Sequence, residues 1–239
     1  LNPGAVLSEN PKIHYENLKV VPTIEAVANS CVECGYCEPV CPSKNLTLTP
    51  RKRIVMRREL VLAKAAGNTA LAREIEKEFK YSGEETCAVD GMCETACPVR
   101  INTGSLVREL RAEHAKPLPT AAWNFAAKNW ALTTKALGFG LTLSSLVPGL
   151  KYPRGGKSRK SVKSSGVPTA ILFPSCTGSL FGTSDSSGAL MTIAKRAGIE
   201  IAVPEGISSM CCGTPWKSKG YFDGYSTMRE IVIPQMLAA

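Results

Sequence analysis

Seven of the ten cysteines fall in two short runs. The first, Cys-Val-Glu-Cys-Gly-Tyr-Cys-Glu-Pro-Val-Cys-Pro at residues 31–42, has the spacing C-x2-C-x2-C-x3-C-P. Three thiolates two residues apart lie on one tight loop and can hold three corners of an iron–sulfur cube. The fourth, three residues on, is thrown out of that loop and serves a second cluster. Pro42 keeps the local helix from running back through the site. Four cysteines this close do not easily wrap one zinc ion, whose structural sites draw two separated pairs.

The second run, Cys-Ala-Val-Asp-Gly-Met-Cys-Glu-Thr-Ala-Cys-Pro at residues 87–98, aligns on the first as C-x2-D-x2-C-x3-C-P. It is an internal repeat with one ligand changed. In two-cluster modules the fourth cysteines are exchanged between clusters. That rule assigns Cys31, Cys34, Cys37 and Cys97 to cluster one, a [4Fe–4S] centre. Cluster two receives Cys87, Cys93 and Cys41, with position 90 open. A carboxylate is a harder donor than a thiolate, so Asp90 changes the chemistry of its iron. Two outcomes stay open: a [4Fe–4S] cluster with Asp90 or water on one iron, or a [3Fe–4S] cluster on three cysteines. Asp90 is also the first half of an Asp-Gly turn signal, a role that needs no iron.

The elements that must position these runs read as helices. Forty-five residues separate Cys41 from Cys87, where a small β-type ferredoxin would use strands and fewer residues. Thr23 can cap a short helix delivering the chain to Cys31. A helix is predicted over residues 51–66 with Ile54, Val55, Met56, Leu60, Val61 and Leu62 inward. A second follows the Gly67-Asn68 break, with Leu71, Ile75 and Phe79 on one face. Arg51, Lys52, Arg53, Arg57 and Arg58 either solvate a face or dock an acidic partner. Beyond Pro98, Asn102 to Ser105 offer caps for a helix with Leu106, Val107 and Leu110 as its stripe. The fold class expected is therefore mostly α, an α-helical two-cluster ferredoxin-like domain at residues 25–115.

The composition sets further bounds. Cysteines grouped this way argue for metal ligation in a reducing compartment, the cytoplasm, rather than a disulfide scaffold. No signal peptide opens the chain, and no apolar run reaches the length of a membrane span. The start lacks Met, which reads as a fragment or processed product. Residues 101–168 hold eleven Lys/Arg against two Glu, a net +9, while the rest carries eighteen of each sign. Such a concentration fits an acidic partner, an anionic membrane face or a solvated linker. A nucleic-acid patch would lack an aromatic platform beside it, and no nucleic-acid partner is expected. His14 sits alone in a Pro-punctuated connecting arm at residues 1–24, where a surface or packing role suffices.

Within a helical segment assigned to residues 116–147, Pro117 and Pro119 are expected to break the chain before an Ala-rich, Trp-containing helical stretch at residues 120–147. That segment packs in a core, against a partner domain, or on the inner face of the cytoplasmic membrane as a peripheral contact. Residues 148–168 are a basic linker by composition. From residue 169 the texture turns α/β, giving a partial α/β domain at residues 169–239. A short buried strand at 169–173, a helix capped by Ser187 and stopped by Gly198, and a strand at 199–203 make a βαβ unit. Cys176 follows the first strand, and Cys211-Cys212-Gly213 follows the second, a C-x34-C-C-G pattern. Together Cys176, Cys211 and Cys212 are candidates for a third metal or cluster site, with zinc, iron–sulfur and free thiols all open.

This last pattern resembles the first half of the cysteine-rich CCG domain of heterodisulfide-reductase-type proteins. It also resembles the iron–sulfur subunits of glycolate oxidase and anaerobic glycerol-3-phosphate dehydrogenase. A wider set of motifs resembles the C-terminal iron–sulfur half of FAD-linked D-lactate (D-2-hydroxyacid) dehydrogenases. These are Leu-Asn-Pro-Gly at 1–4, the run at 31–43, Leu-Thr-Pro-Arg at 48–51, Thr-Cys-Ala-Val-Asp-Gly-Met-Cys at 86–93, Cys-Pro-Val at 97–99, Ile-Asn-Thr-Gly at 101–104 and Cys-Cys-Gly-Thr-Pro-Trp-Lys-Ser-Lys-Gly at 211–220. The resemblance implies a partner FAD-containing dehydrogenase domain upstream of residue 1, and electrons passed through two clusters to a quinone or cytochrome. It makes the chain part of an enzyme whose catalytic residues lie elsewhere. The family's CCG domain normally adds a later C-x2-C that this chain lacks. A stand-alone iron–sulfur subunit of a glycolate-oxidase-like or glycerol-3-phosphate-dehydrogenase-like complex is the alternative. A zinc-stabilised basic protein that binds nucleic acid is a third reading, and it predicts a colourless protein.

Overall fold

A computed structural model of the chain describes residues 21–144, 159–163, 166–181 and 186–239. The motif at residues 1–4, His14, nearly all of the connecting arm and most of the basic linker lie outside the described residues. Cα packing divides the chain into two compact units, Leu1–Leu110 and Arg111–Ala239. The architecture is mostly helical, as the sequence indicates.

In the first unit, a single turn α1 (Ala26–Asn29) leads into the Cys31 loop. Glu25 rather than Thr23 stands at its N-cap, and no side chain caps it. Helix α2 (Pro50–Ala65) begins where Thr49 accepts a hydrogen bond from the Lys52 amide at 3.4 Å and Pro50 presets the first turn. Helix α3 (Thr69–Phe79) is capped by Asn68, whose side chain accepts from the Leu71 amide at 3.1 Å. It runs on into a π-helical turn at Lys80–Glu85. There a Cβ on Gly83 would come within 2.7 Å of the Phe79 ring, so the wider turn closes over the ring only with glycine. Short α4 (Met92–Ala96) follows the second cysteine loop, and most of α5 (Thr103–Glu113), through Leu110, belongs to this unit. The core joins Ala28, Ile54, Phe79, Ile101, Leu106 and Leu110.

Two expectations for α2 do not hold. Leu62 is exposed, while Arg53 and Arg58 are buried with Ile54, Leu60 and Ala63. The apolar stripe alone does not set the inward face, because the two guanidinium groups find hydrogen-bond acceptors there. They therefore neither solvate a face nor dock a partner. Arg57, beside them, pairs with Glu25.

In the second unit, Pro117 and Pro119 begin a helix instead of breaking one. Helix α6 spans Pro117–Lys128, with proline in its first turn, where no amide partner is required. Asn129 separates it from α7 (Trp130–Ser144), which has no buried residue. The aromatic centre of this unit is Trp216, fully buried on α10 (Thr214–Lys219), with Trp123 and Trp130 edge-on to it. Its indole nitrogen donates to the Trp123 carbonyl at 2.7 Å. Helix α11 (Phe222–Leu237) packs along α6. Gly224 on α11 is required by the same ring, since a Cβ there would meet the indole at 2.2 Å.

Strands β1 (Ala170–Ile171) and β2 (Ile201–Ala202) pair in parallel, with Ala170 opposite Ile201. Helices α8 (Cys176–Phe181) and α9 (Ser186–Arg196) lie between them in sequence, which completes the βαβ unit. The strands are shorter than expected and β1 is exposed. Val162, from the end of the basic segment, adds an antiparallel bridge to Val203. No helix of the described residues is long and apolar enough to cross a membrane.

Candidate iron–sulfur centres

The two cysteine runs fold as the same loop twice. Glu33 and Val89, each two residues past the first cysteine of its run, both have positive φ, 58° and 57°. Gly35 and Gly91, two residues further on, repeat this at 87° and 78°. A β-branched residue is strained in that region, so Val89 holds a conformation that its surroundings impose. Asp90 therefore occupies the backbone position that Cys34 has in the first loop.

Each loop borders a cavity. Cavity one is lined by Cys31, Cys34, Cys37 and Cys97, with Ile54 and Ile101 among its walls, and holds about 450 Å³ of space counted to its open mouth. Cavity two is lined by Cys41, Cys87, Cys93 and Asp90, with Arg53 and Gly104, and holds about 300 Å³ on the same measure. Each run thus contributes its first three positions to one cavity and its last cysteine to the other. Among the described residues no three His, Cys, Asp or Glu side chains converge on a single ion position. The thiols surround volumes instead.

The residues fit an iron–sulfur cluster in each cavity on their donor chemistry: soft sulfur ligands around an open-mouthed recess, four in cavity one and three with Asp90 in cavity two. Burial pushes the Cys37 thiol up to about 11, the direction a metal would reverse. In cavity two, Asp90 Oδ1 accepts the Met92 amide at 3.1 Å. The carboxylate serves as a turn residue, and Asp90 is one of the residues that line the cavity.

Second-layer contacts hold both loops. Arg58 donates to Glu33 Oε1 at 2.6 Å, to the Cys31 carbonyl at 2.8 Å and to the Asn29 carbonyl at 3.1 Å. One buried cation therefore pins the first loop at its entry and at its strained residue. Glu38 accepts from Thr49 Oγ1 at 2.6 Å and pairs with Arg51 at 3.2 Å, and these contacts hold its carboxyl below the usual range. They tie the first loop to the cap of α2. The second loop is tied across the fold by Ser43 and Thr47, which bond the Thr86 carbonyl and hydroxyl at 2.5 and 2.6 Å. Sequence reasoning singled out Arg51 and Arg58 only as a solvated or partner-docking face and missed their hold on the ligand loop, as it missed the threonines. The one available signal was the basic cluster on a helix that follows a ligand loop directly.

In the second unit, Cys176 and buried Cys211 approach to 3.9 Å, Sγ to Sγ, while Cys212 is exposed and bonds Thr214 Oγ1 at 3.2 Å. Arg159 donates to the Pro174 carbonyl at 3.1 Å and to the Met210 carbonyl at 2.5 Å. It staples the two cysteine-bearing loops together, so this end of the basic segment is not a free linker. The hydrogen bond with Cys211, helped by the Arg159 charge, brings Cys176 down to about 6, against the effect of its burial. The same bond, with burial, pushes Cys211 up.

Residues 27–101 match the 4Fe–4S dicluster domain family. The chain therefore carries an iron–sulfur electron-transfer domain. The chain is also similar to a subunit of the dihydromethanophenazine:CoB–CoM heterodisulfide reductase of Methanosarcina mazei, with 31% identity over 119 residues, 45% of this chain and 28% of that protein. The corresponding reductase subunit of Methanosarcina acetivorans matches to the same extent. The chain thus spans little more than a quarter of the length of these curated relatives. No solved structure matches it.

Proposed function

We propose that this chain is the electron-relay portion of an FAD-linked D-2-hydroxyacid dehydrogenase of the D-lactate type. Cys31, Cys34, Cys37 and Cys97 hold a [4Fe–4S] cluster. Cys41, Cys87 and Cys93 hold a second cluster, with the Asp90 oxygen or water at its remaining iron. The observation that carries the relay is the interleaved lining of the two cavities, each with three positions of one run and the last cysteine of the other. The bound clusters would supply one-electron transfer, which divides the two-electron oxidation of a hydroxyacid at a flavin into single steps. The chain's own residues supply the ligands, fix the loops through Arg58 and Thr86, and keep water from Cys41 and Cys93, both buried. Cys176 and Cys211, which approach each other, are candidates with Cys212 for a third metal or cluster site, and occupancy of it requires Cys212 to turn from Thr214. The acceptor is a quinone or cytochrome, and the setting is the cytoplasmic side of a membrane.

A second reading, a relay component of a heterodisulfide-reductase-like complex, is favoured by the 31% identity to the two Methanosarcina reductase proteins. The experiment adds D-lactate anaerobically to the protein expressed with the coding sequence immediately upstream. Bleaching of the brown cluster absorbance by D-lactate supports the dehydrogenase reading. A coding sequence without a flavin domain, or clusters indifferent to D-lactate, overturns it in favour of the second.

A further inference from the structure

The cation most intimately placed against a candidate ligand is Arg53. Its side chain is only 1% exposed, and it lines cavity two. Nη1 lies 3.8 Å from Cys41 Sγ, within N–H···S range for a large acceptor. The rest of the guanidinium is held by the turn that leads into the second cysteine loop. Nε donates to the Gly83 carbonyl at 2.7 Å, and Nη2 reaches Thr86 Oγ1 at 3.5 Å. Thr86 precedes Cys87 directly, so one side chain bridges the Cys41 loop and the approach to the Cys87 loop. None of these three acceptors is a carboxylate. Arg51, the arginine at cavity one, instead pairs with Glu38 and is more exposed.

We infer that Arg53 is a positioning residue that donates a charge-assisted N–H···S bond to the Cys41 thiolate and raises the reduction potential of cluster two relative to cluster one. The inference rests on the assignment of Cys41 to a cluster in cavity two. Adding an electron makes a cluster more negative, and a buried cation hydrogen-bonded to a ligand sulfur favours the reduced form. The rigid fork also explains why arginine serves here: three donors in one plane reach sulfur, carbonyl and hydroxyl at once, which lysine cannot do.

The experiment is EPR-monitored redox titration of the anaerobically reconstituted protein and of R53K, with pulsed EPR on wild type containing 15N-arginine. Arg53→Lys is expected to lower the reduced-to-oxidised ratio of cluster two at fixed ambient potential about tenfold, a 59 mV fall for a one-electron couple, with cluster one unmoved. The labelled wild type is expected to show a 15N hyperfine coupling on cluster two that R53K lacks. Should R53K fail to fold, the labelled wild-type spectrum alone decides. Two clusters in wild type, with no such coupling or with an unchanged ratio in R53K, overturn the role of Arg53 and leave the cluster assignment standing. A wild type without a second cluster overturns the assignment itself, and the inference with it.

Discussion

Cavity one and cavity two are built on the same backbone loop, yet they differ in donor set, burial and neighbouring charge. Cavity one has four cysteines, one of them exposed, and its nearby Arg51 is paired with Glu38. It opens among exposed side chains such as Val32, Tyr36 and Val99. Cavity two exchanges one cysteine for Asp90, buries Cys41 and Cys93, and holds the Arg53 guanidinium against sulfur. Loop geometry is thus separable from redox character. Positive φ at matched positions reproduces the cradle, while the side chains around it make two unlike stations.

The comparison is broken most severely through the shared ligands. Replacing Cys97 by Ser is expected to remove cluster one although Cys97 belongs to the second run, with iron and acid-labile sulfide falling by roughly half. Loss of cluster two instead, read from its EPR signal, would show that the last cysteines are not exchanged. The contrast is erased in the other direction by Asp90→Cys, which gives the second loop a full thiolate set. The variant is expected to hold a [4Fe–4S] cluster without any EPR signal of an oxidised [3Fe–4S] centre. The Asx contact to the Met92 amide is lost in that variant at a cost of ~1 kcal/mol.

The scaffolding contacts sharpen the comparison by smaller amounts. Arg58→Met strips the first loop of three hydrogen bonds and takes the cation from a mostly buried ion pair, 3% and 17% exposed at the two side chains. Unfolding free energy measured by denaturant titration is expected to fall by about 3 kcal/mol. Thr49→Ala removes the cap of α2 and the hydroxyl bonded to Glu38, for a loss of ~1 kcal/mol in the same assay. Equal losses from the two would mean that Arg58 is no more than a surface cation.

Much of this site was legible in the sequence because cysteine spacing is a local property. The repeat, the changed position 90 and the helices between the runs all follow from local pattern, and so does the βαβ unit around Cys176. What was not legible depends on contacts distant in the chain. Arg53 and Arg58 read as surface charge because helical periodicity ranks residues by polarity, whereas their burial depends on carbonyls and thiols that loops about 12 to 30 residues away present to them. Pro117 and Pro119 read as breakers, yet the first turn of a helix tolerates proline. Arg159 read as linker because the carbonyls it joins, those of Pro174 and Met210, come together only when β1 and β2 pair.

The central claim, two unlike iron–sulfur stations in one interleaved module, is tested most directly by metal and sulfide analysis with an EPR redox titration of the anaerobically reconstituted chain. The account predicts a brown protein with two clusters that titrate at separate potentials, each lost with its own ligand set. A colourless protein that binds zinc, a wild type that holds one cluster only, or two clusters that both survive replacement of Cys41, Cys87 and Cys93 together, would contradict it.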